Sequence, residues 1–150
     1  MDKFMERAVA LAVENVREGG QPFGAVLVKD NKCVAEGVNE LHKRYDSSGH
    51  AELLAIRRAQ EQFQTNDLSS YTMYASGEPC PMCLTAMYFV GIKKVFYCAS
   101  VENAEEVGLG KSKSIYEDLQ KTKAERSLSM IQMPLTEGQC NPMKLWKKKS

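Results

Sequence analysis

The 150-residue chain has no apolar run approaching the roughly 18 consecutive residues of a membrane-spanning helix, so no spanning segment is expected. Its first residues, Met1-Asp2-Lys3-Phe4-Met5-Glu6-Arg7, are too charged for an export signal, which leads to the expectation of a cytoplasmic protein. Charge of either sign is not in excess: 20 Lys and Arg against 19 Asp and Glu leave a formal net charge of +1. A protein that tracks phosphates carries a basic surplus, so a nucleic-acid partner is not expected. The one local cluster, Lys144 and Lys147 to Lys149 around Trp146, reads as a solvated helix end. Repeats and low-complexity segments are missing. Histidine is scarce, with only His42 and His50.

What remains is an ordinary globular composition, 43% hydrophobic and 26% charged, in a length that suits a single domain over residues 1–150. Five cysteines without an export signal imply a reducing compartment and no disulfide framework. Cys33 and Cys98 lie in apolar runs and are expected to be buried as small hydrophobes. Cys140, near a turn, is expected to be an exposed thiol. Cys80 and Cys83 stand apart, because two residues separate them.

Met5, Val9, Ala12, Val13 and Val16 recur at helical spacing, and Gly19-Gly20 closes that helix. Residues 22–29 read as a strand, Asp30-Asn31 as a turn, and residues 33–38 as its antiparallel return. His50 opens a helix whose buried side is Leu53, Leu54, Ile56 and Ala59. Residues 71–76 read as a strand, residues 80–89 as a helix with Pro81 in its first turn, and residues 94–99 as a further strand. That alternation asks for a parallel crossover. Short helices are expected at 104–107 and 115–119, joined by a loop over 108–114. Ser129 to Met133 is expected to be a fifth strand, and Pro142 to Lys149 a terminal helix. The fold class is α/β: a three-layer α/β/α domain with a mixed, about five-stranded sheet.

His50-Ala51-Glu52 and Pro79-Cys80-Pro81-Met82-Cys83 carry the chemistry. Two thiols at one helix start and an imidazole at another can close on a single Zn²⁺, one ligand short of the four that structural zinc takes. The open position suits a water whose pKa the metal lowers toward about 7. Glu52, two residues past His50, is placed to move protons as general acid and base. His-x-Glu followed by Pro-Cys-x-x-Cys is the signature of zinc nucleobase deaminases, in which the Glu is not a ligand. A Cys-x-x-Cys alone would leave redox chemistry or half a zinc finger open. The His-x-Glu partner disfavours redox, and a structural site lacks a suitably placed fourth Cys or His.

On these motifs the chain resembles the cytidine deaminase superfamily, and within it the bacterial guanine deaminases. The resemblance runs from the first helix to the last and implies the cytidine deaminase-like fold. It implies that Phe23, in Pro22-Phe23-Gly24-Ala25, stacks on the base, that the Asn39 amide bonds the base's polar edge, and that the Ala51 N–H faces the substrate. As plain structure, Phe23 is a core residue and Asn39 a turn former. Ser76-Gly77-Glu78-Pro79-Cys80 differs from the Thr-Leu-Glu-Pro-Cys usual in tRNA adenosine deaminases. Met87-Tyr88-Phe89, Lys94 to Tyr97, Asn103 to Gly108 and Ser114-Ile115-Tyr116 are similar to guanine deaminases.

Two departures stand out. Guanine deaminases place a carboxylate shortly before the Ser-x-Ile-Tyr-like run, whereas this loop reads Gly108-Leu109-Gly110-Lys111-Ser112-Lys113. Their tyrosine-bearing tail also has no match. The resemblance therefore implies a zinc-dependent hydrolytic deaminase of a purine base or related aminated heterocycle, guanine first, working as a homodimer. The alternatives are a tRNA adenosine deaminase, a cytosine or nucleoside deaminase, or a catalytically silent base-binding protein. Lys111 and Lys113 read as solvated loop lysines, or else as contacts for a substrate anion.

Overall fold

The structure, a computed structural model, describes residues 1–149. Asp2 starts the first helix by accepting the Phe4 and Met5 N–H groups on its Oδ1 (2.7 and 3.4 Å). Helix α1 spans Lys3–Arg17 and buries Phe4, Met5, Ala8, Ala12 and Asn15. Strand β1 (Gly24–Lys29) then pairs antiparallel with β2 (Lys32–Val38). Their turn holds Asp30 and Asn31 at φ of 52° and 60°, the left-handed pair that matches hairpin twist and that Asp and Asn tolerate. Helix α2 (Ala51–Phe63), β3 (Thr72–Gly77), α3 (Pro81–Val90) and β4 (Val95–Ala99) follow. The strand order is β2-β1-β3-β4, with β1 antiparallel to β3 and β3 parallel to β4, so the sheet is mixed.

Alternation along the strands sorts the core into two layers. Ala25, Leu27 and Met73 face one side and meet Ala51, Ala55, Ile56 and Ala59 of α2 and Cys83, Met87 and Val90 of α3. Val26 and Val28 face the other and meet Phe4, Met5 and Ala8 of α1. A strand apolar on both faces must be covered on both, and β1 is buried from Gly24 to Val28. The three-layer α/β/α architecture follows.

The expected fifth strand is not found: among the described residues the sheet has four strands. Residues 129–135 are irregular, and Met130, Ile131 and Met133 are exposed. Alternating apolar residues form a strand only where a neighbour supplies a ladder, and this run has none. Cys33 and Cys98 are exposed rather than buried, because each sits on an edge strand of the sheet. The expected 108–114 loop is shorter than the sequence suggested. Helix α4 covers Val101–Glu106, and α5 begins at Lys111 and runs to Leu119. A 3₁₀ turn (Lys123–Glu125) and α6 (Pro142–Lys149) complete the elements.

The chain forms two compact units, one of residues 1–117 and one from residue 118 on. The sheet, α1 to α4 and the motif residues lie in the first. In the second, Asp118 accepts hydrogen bonds from the Ser127 N–H and hydroxyl (all 3.2 Å), and Asn141 accepts from the Met143 and Lys144 N–H groups at the start of α6. No helix among the described residues is long and apolar enough to cross a membrane.

Candidate metal and active site

Two helix starts meet at the end of the sheet. His50 is the N-cap residue of α2, in extended backbone (φ −88°, ψ 151°), and Cys80 is that of α3 (φ −67°, ψ 165°). Pro81 takes the first helical position, where its missing N–H would in any case have no intrahelical partner. The Cys80 Sγ accepts the Cys83 N–H at 3.5 Å, so the second thiol folds back over the first turn.

His50 Nδ1 lies 3.4 Å from Cys80 Sγ and 3.6 Å from Cys83 Sγ. Zn–S of about 2.3 Å and Zn–N of about 2.0–2.1 Å at tetrahedral angles imply an N···S separation of about 3.5 Å. The donor set therefore fits zinc in both chemistry and spacing, and it is the His/Cys/Cys group that could hold a metal among the described residues. Hydrogen bonds from Cys83 and from the His50 imidazole hold the Cys80 thiol down at about 4, against the cost of its burial. The same pairing with Cys80, together with burial, pushes Cys83 up. Hydrogen bonding to Cys80 raises His50.

Glu52 projects from the first turn of α2 and is 7% exposed. Burial pushes its carboxyl up to about 7, and the charges it feels are those of Cys80 and His50. A carboxyl poised there gives and takes protons with little bias near neutral pH.

The other expected site residues form a wall rather than a ring. The side chain of Ala51 is fully buried, and a Cβ at Gly37 would stand 2.2 Å from the Ala51 carbonyl oxygen, so β2 and the start of α2 touch backbone to backbone. The Phe23 ring lies against Gly77: a Cβ there would meet its Cε1 at 2.8 Å, three residues before Cys80 in the chain. Asn39 is 1% exposed; its Oδ1 accepts the Leu41 N–H (3.0 Å), and its Nδ2 is 3.4 Å from Gln21 Oε1. Asn39 thus closes the end of β2 as a turn former, while its backbone N–H is bonded to the Phe23 carbonyl (3.1 Å).

Three residues join the wall that sequence reasoning did not single out. The Ser76 hydroxyl accepts the Gly24 N–H (2.9 Å), Asn15 bonds Gln21 and Asn39, and the Tyr116 hydroxyl donates to the Pro79 carbonyl beside Cys80. Ser76 and Tyr116 left a trace, in the Ser76 to Cys80 and Ser114-Ile115-Tyr116 runs, but neither with this role; Asn15 left none. Lys111 and Lys113 lie in α5 rather than in a loop, and Lys113 pairs with Glu105 (3.0 Å). Two surface cavities, of about 490 Å³ beside Met87 and Ile92 and about 190 Å³ beside Arg57 and Arg58, are lined by none of His50, Glu52, Cys80 or Cys83.

An α/β/α sandwich with His-x-Glu and Pro-Cys-x-x-Cys at two convergent helix starts defines the zinc deaminase class. The profile of the cytidine and deoxycytidylate deaminase zinc-binding region matches residues 1–99, and the chain belongs to that family. It is 42% identical to the guanine deaminase of Bacillus subtilis (strain 168) over 147 residues, 97% of this chain and 93% of that one. The X-ray structure of guanine deaminase from Bacillus subtilis superposes with a TM-score of 0.89 at 41% identity, covering 99% of this chain and 95% of that chain. A tRNA-specific adenosine deaminase of Buchnera aphidicola subsp. Schizaphis graminum is 31% identical over 120 residues, 80% of this chain and 78% of its own. A variant of NE0047 in complex with 8-azaguanine superposes with a TM-score of 0.66 at 29% identity, over 70% of this chain and 62% of that chain.

Proposed function

We propose that this chain is a zinc-dependent hydrolytic deaminase of a purine base, with guanine converted to xanthine and ammonia. The observation that carries the reading is the buried Glu52 carboxyl beside the His50, Cys80 and Cys83 group, whose spacing fits zinc. His50, Cys80 and Cys83 hold the metal. Zinc, when bound, supplies an acidified water and a positive charge.

Glu52 would accept a proton from the attacking water and give it to a ring nitrogen, then take the second proton from the hydroxyl now on the ring carbon and give it to the departing amine. The ring carbon gains the water's oxygen, its bond to the exocyclic amine breaks, and ammonia leaves. Phe23 stacks on the base, the Asn39 Nδ2 group, whose companion Oδ1 is held by the turn, donates to its polar edge, and the Ala51 N–H faces it. The likeness to Bacillus subtilis guanine deaminase over nearly both chains supports guanine ahead of a tRNA adenosine. The reading takes residues 1–150 as one deaminase domain acting in the cytoplasm.

A homodimer belongs to the same reading. Helix α3 turns Met82, Tyr88 and Phe89 outward, with 77% and 84% of the two aromatics exposed, and β4 leaves Phe96 and Tyr97 half open. A helix apolar all round asks for a cover on each side.

Ammonia release from zinc-loaded protein tests the function, measured across guanine, guanosine, adenine, cytosine, cytidine and an anticodon stem-loop RNA. Guanine alone should turn over, and Glu52→Ala should keep its zinc while losing at least about a hundredfold in kcat. Turnover of only the RNA or a pyrimidine would replace the substrate, and an active Glu52→Ala would remove the proton shuttle.

A further inference from the structure

Three consecutive carbonyls before β1 are each held by a different part of the chain. Asn15 Nδ2 donates to the Gln21 carbonyl (2.8 Å), the Ser76 hydroxyl to that of Pro22 (3.4 Å), and the Asn39 N–H to that of Phe23 (3.1 Å). The same Asn15 Nδ2 also donates to the Asn39 carbonyl (2.9 Å). One planar NH₂ group thus commits both of its hydrogens to two segments, the one that leads into Phe23 and the one that leaves β2 at Asn39.

Asn15 sits on α1 and is 2% exposed. Its Oδ1 accepts no hydrogen bond among the described residues. A buried acceptor without a partner costs stability, which the two bonds donated from Nδ2 offset. The donor side is what the position uses. Space around it is also closed: a Cβ at Gly20 would stand 2.5 Å from Asn15 Nδ2 and 2.4 Å from the His42 ring.

We propose that Asn15 is a positioning residue that fixes the spacing between Phe23 and Asn39 and thereby sets the affinity for the base. The proposal rests on the function proposed above, in which Phe23 stacks on the base and Asn39 bonds its edge. Asn15 is not one of the three residues that could hold a metal, and the partners of its side chain are the Gln21 and Asn39 carbonyls. It acts by clamping the two backbones that carry the contacts, from the layer opposite α2 and α3.

The test uses the full-length, zinc-loaded protein as wild type, Asn15→Ala and Asn15→Asp. The Asp variant keeps the shape but sets a carboxylate against two carbonyls. The Ala variant keeps the question open if that chain does not fold. Zinc content is measured first, and both variants are expected to match wild type. Hydrogen exchange without ligand comes next: the amides of Phe23, Gly24, Asn39 and Leu41 should exchange faster while those of α2 and β3 stay as protected as before. Last come KM and kcat for guanine and the Kd of 8-azaguanine. KM and Kd should rise about tenfold, the effect of one lost hydrogen bond at the wall, with kcat changed less than about threefold.

A residue with a merely structural role would lower the melting temperature and the active fraction, hence kcat, at constant KM, and that result overturns the proposal. Unchanged exchange at residues 23, 24, 39 and 41 overturns it as well. If wild type binds 8-azaguanine but releases no ammonia from any base, the reaction has been misread, and the Kd shift still decides the role of Asn15. If wild type neither binds nor turns over a purine, the function fails while the exchange result still decides the clamp.

Discussion

At the scale of single residues, the carboxyl of Glu52 carries the sharpest consequence. Burial raises it to about 7 in the metal-free protein. Its unfolded value is that of an ordinary Glu, about 4.3. Between those values the folded chain keeps a proton that the unfolded chain releases. The contribution to stability is therefore complete below about pH 4, declines as pH rises, and is gone above about pH 7. It is on the order of 3 kcal/mol. Denaturant unfolding of metal-free protein should show wild type losing more stability than Glu52→Gln across that interval. Parallel pH profiles for the two would deny that the carboxyl is held protonated by its surroundings. The Gln side chain does not titrate, so the difference isolates Glu52 from Cys80 and His50, which titrate in both proteins.

The same scale marks what the sequence could convey. His50 with Glu52, and Cys80 with Cys83, are recognisable because each pair is closed within one helical turn, where spacing alone fixes geometry. Asn15 and Ser76 are not. Their partners lie 24 and 52 residues away, across the sheet, and no local pattern announces them. Asn39 was legible in part, as both a turn former and a contact, and the structure assigns its Oδ1 to the turn.

Among the elements, β2 and α2 approach backbone to backbone. Gly37 is the point where the strand's backbone meets the Ala51 carbonyl, and a methyl group there would stand 2.2 Å from that oxygen. Backbone cannot swing aside as a side chain can. Gly37→Ala should destabilise the fold by about 3 kcal/mol and lower zinc content, because the helix start it displaces carries His50 and Glu52. A melting temperature and metal analysis equal to wild type would show that the two elements can separate without harm. The antiparallel hairpin, the central helices and the parallel β3–β4 pair were all legible, since each has strong periodicity and a turn residue at its border. The run from Ser129 to Met133 has the alternation of a strand, yet a strand's existence depends on a neighbour that alternation does not encode. Cys98 went the same way: β4 has an apolar sequence, but its place at the sheet's edge, which only topology decides, leaves it exposed.

For the molecule as a whole, the outward aromatics of α3 predict its state of assembly. Phe89→Asp should yield a monomer by sedimentation with zinc still bound, since Phe89 lies on the side of α3 away from Cys83 and Met87. A variant that sediments as wild type would place any dimer contact elsewhere. A second whole-molecule property comes from where the three metal-site atoms originate. His50 and Cys80 are 30 positions apart in sequence, at the starts of different helices. A metal bridging them closes α2 and β3 into a ring, and a ring of that length restricts the unfolded chain by about 3–4 kcal/mol in the chain-entropy description used for disulfides. Zinc is then a reversible tether. Its removal by a chelator should expose the connection between α2 and β3 to protease well before α1 and β1 are cut, and returning zinc should restore resistance. Cleavage that begins in β1, or is indifferent to the chelator, would show that the tether bears no load. The supply of one trace element would then set the lifetime of the folded chain as well as its chemistry, and starvation for zinc would be met as loss of turnover followed by loss of the protein itself.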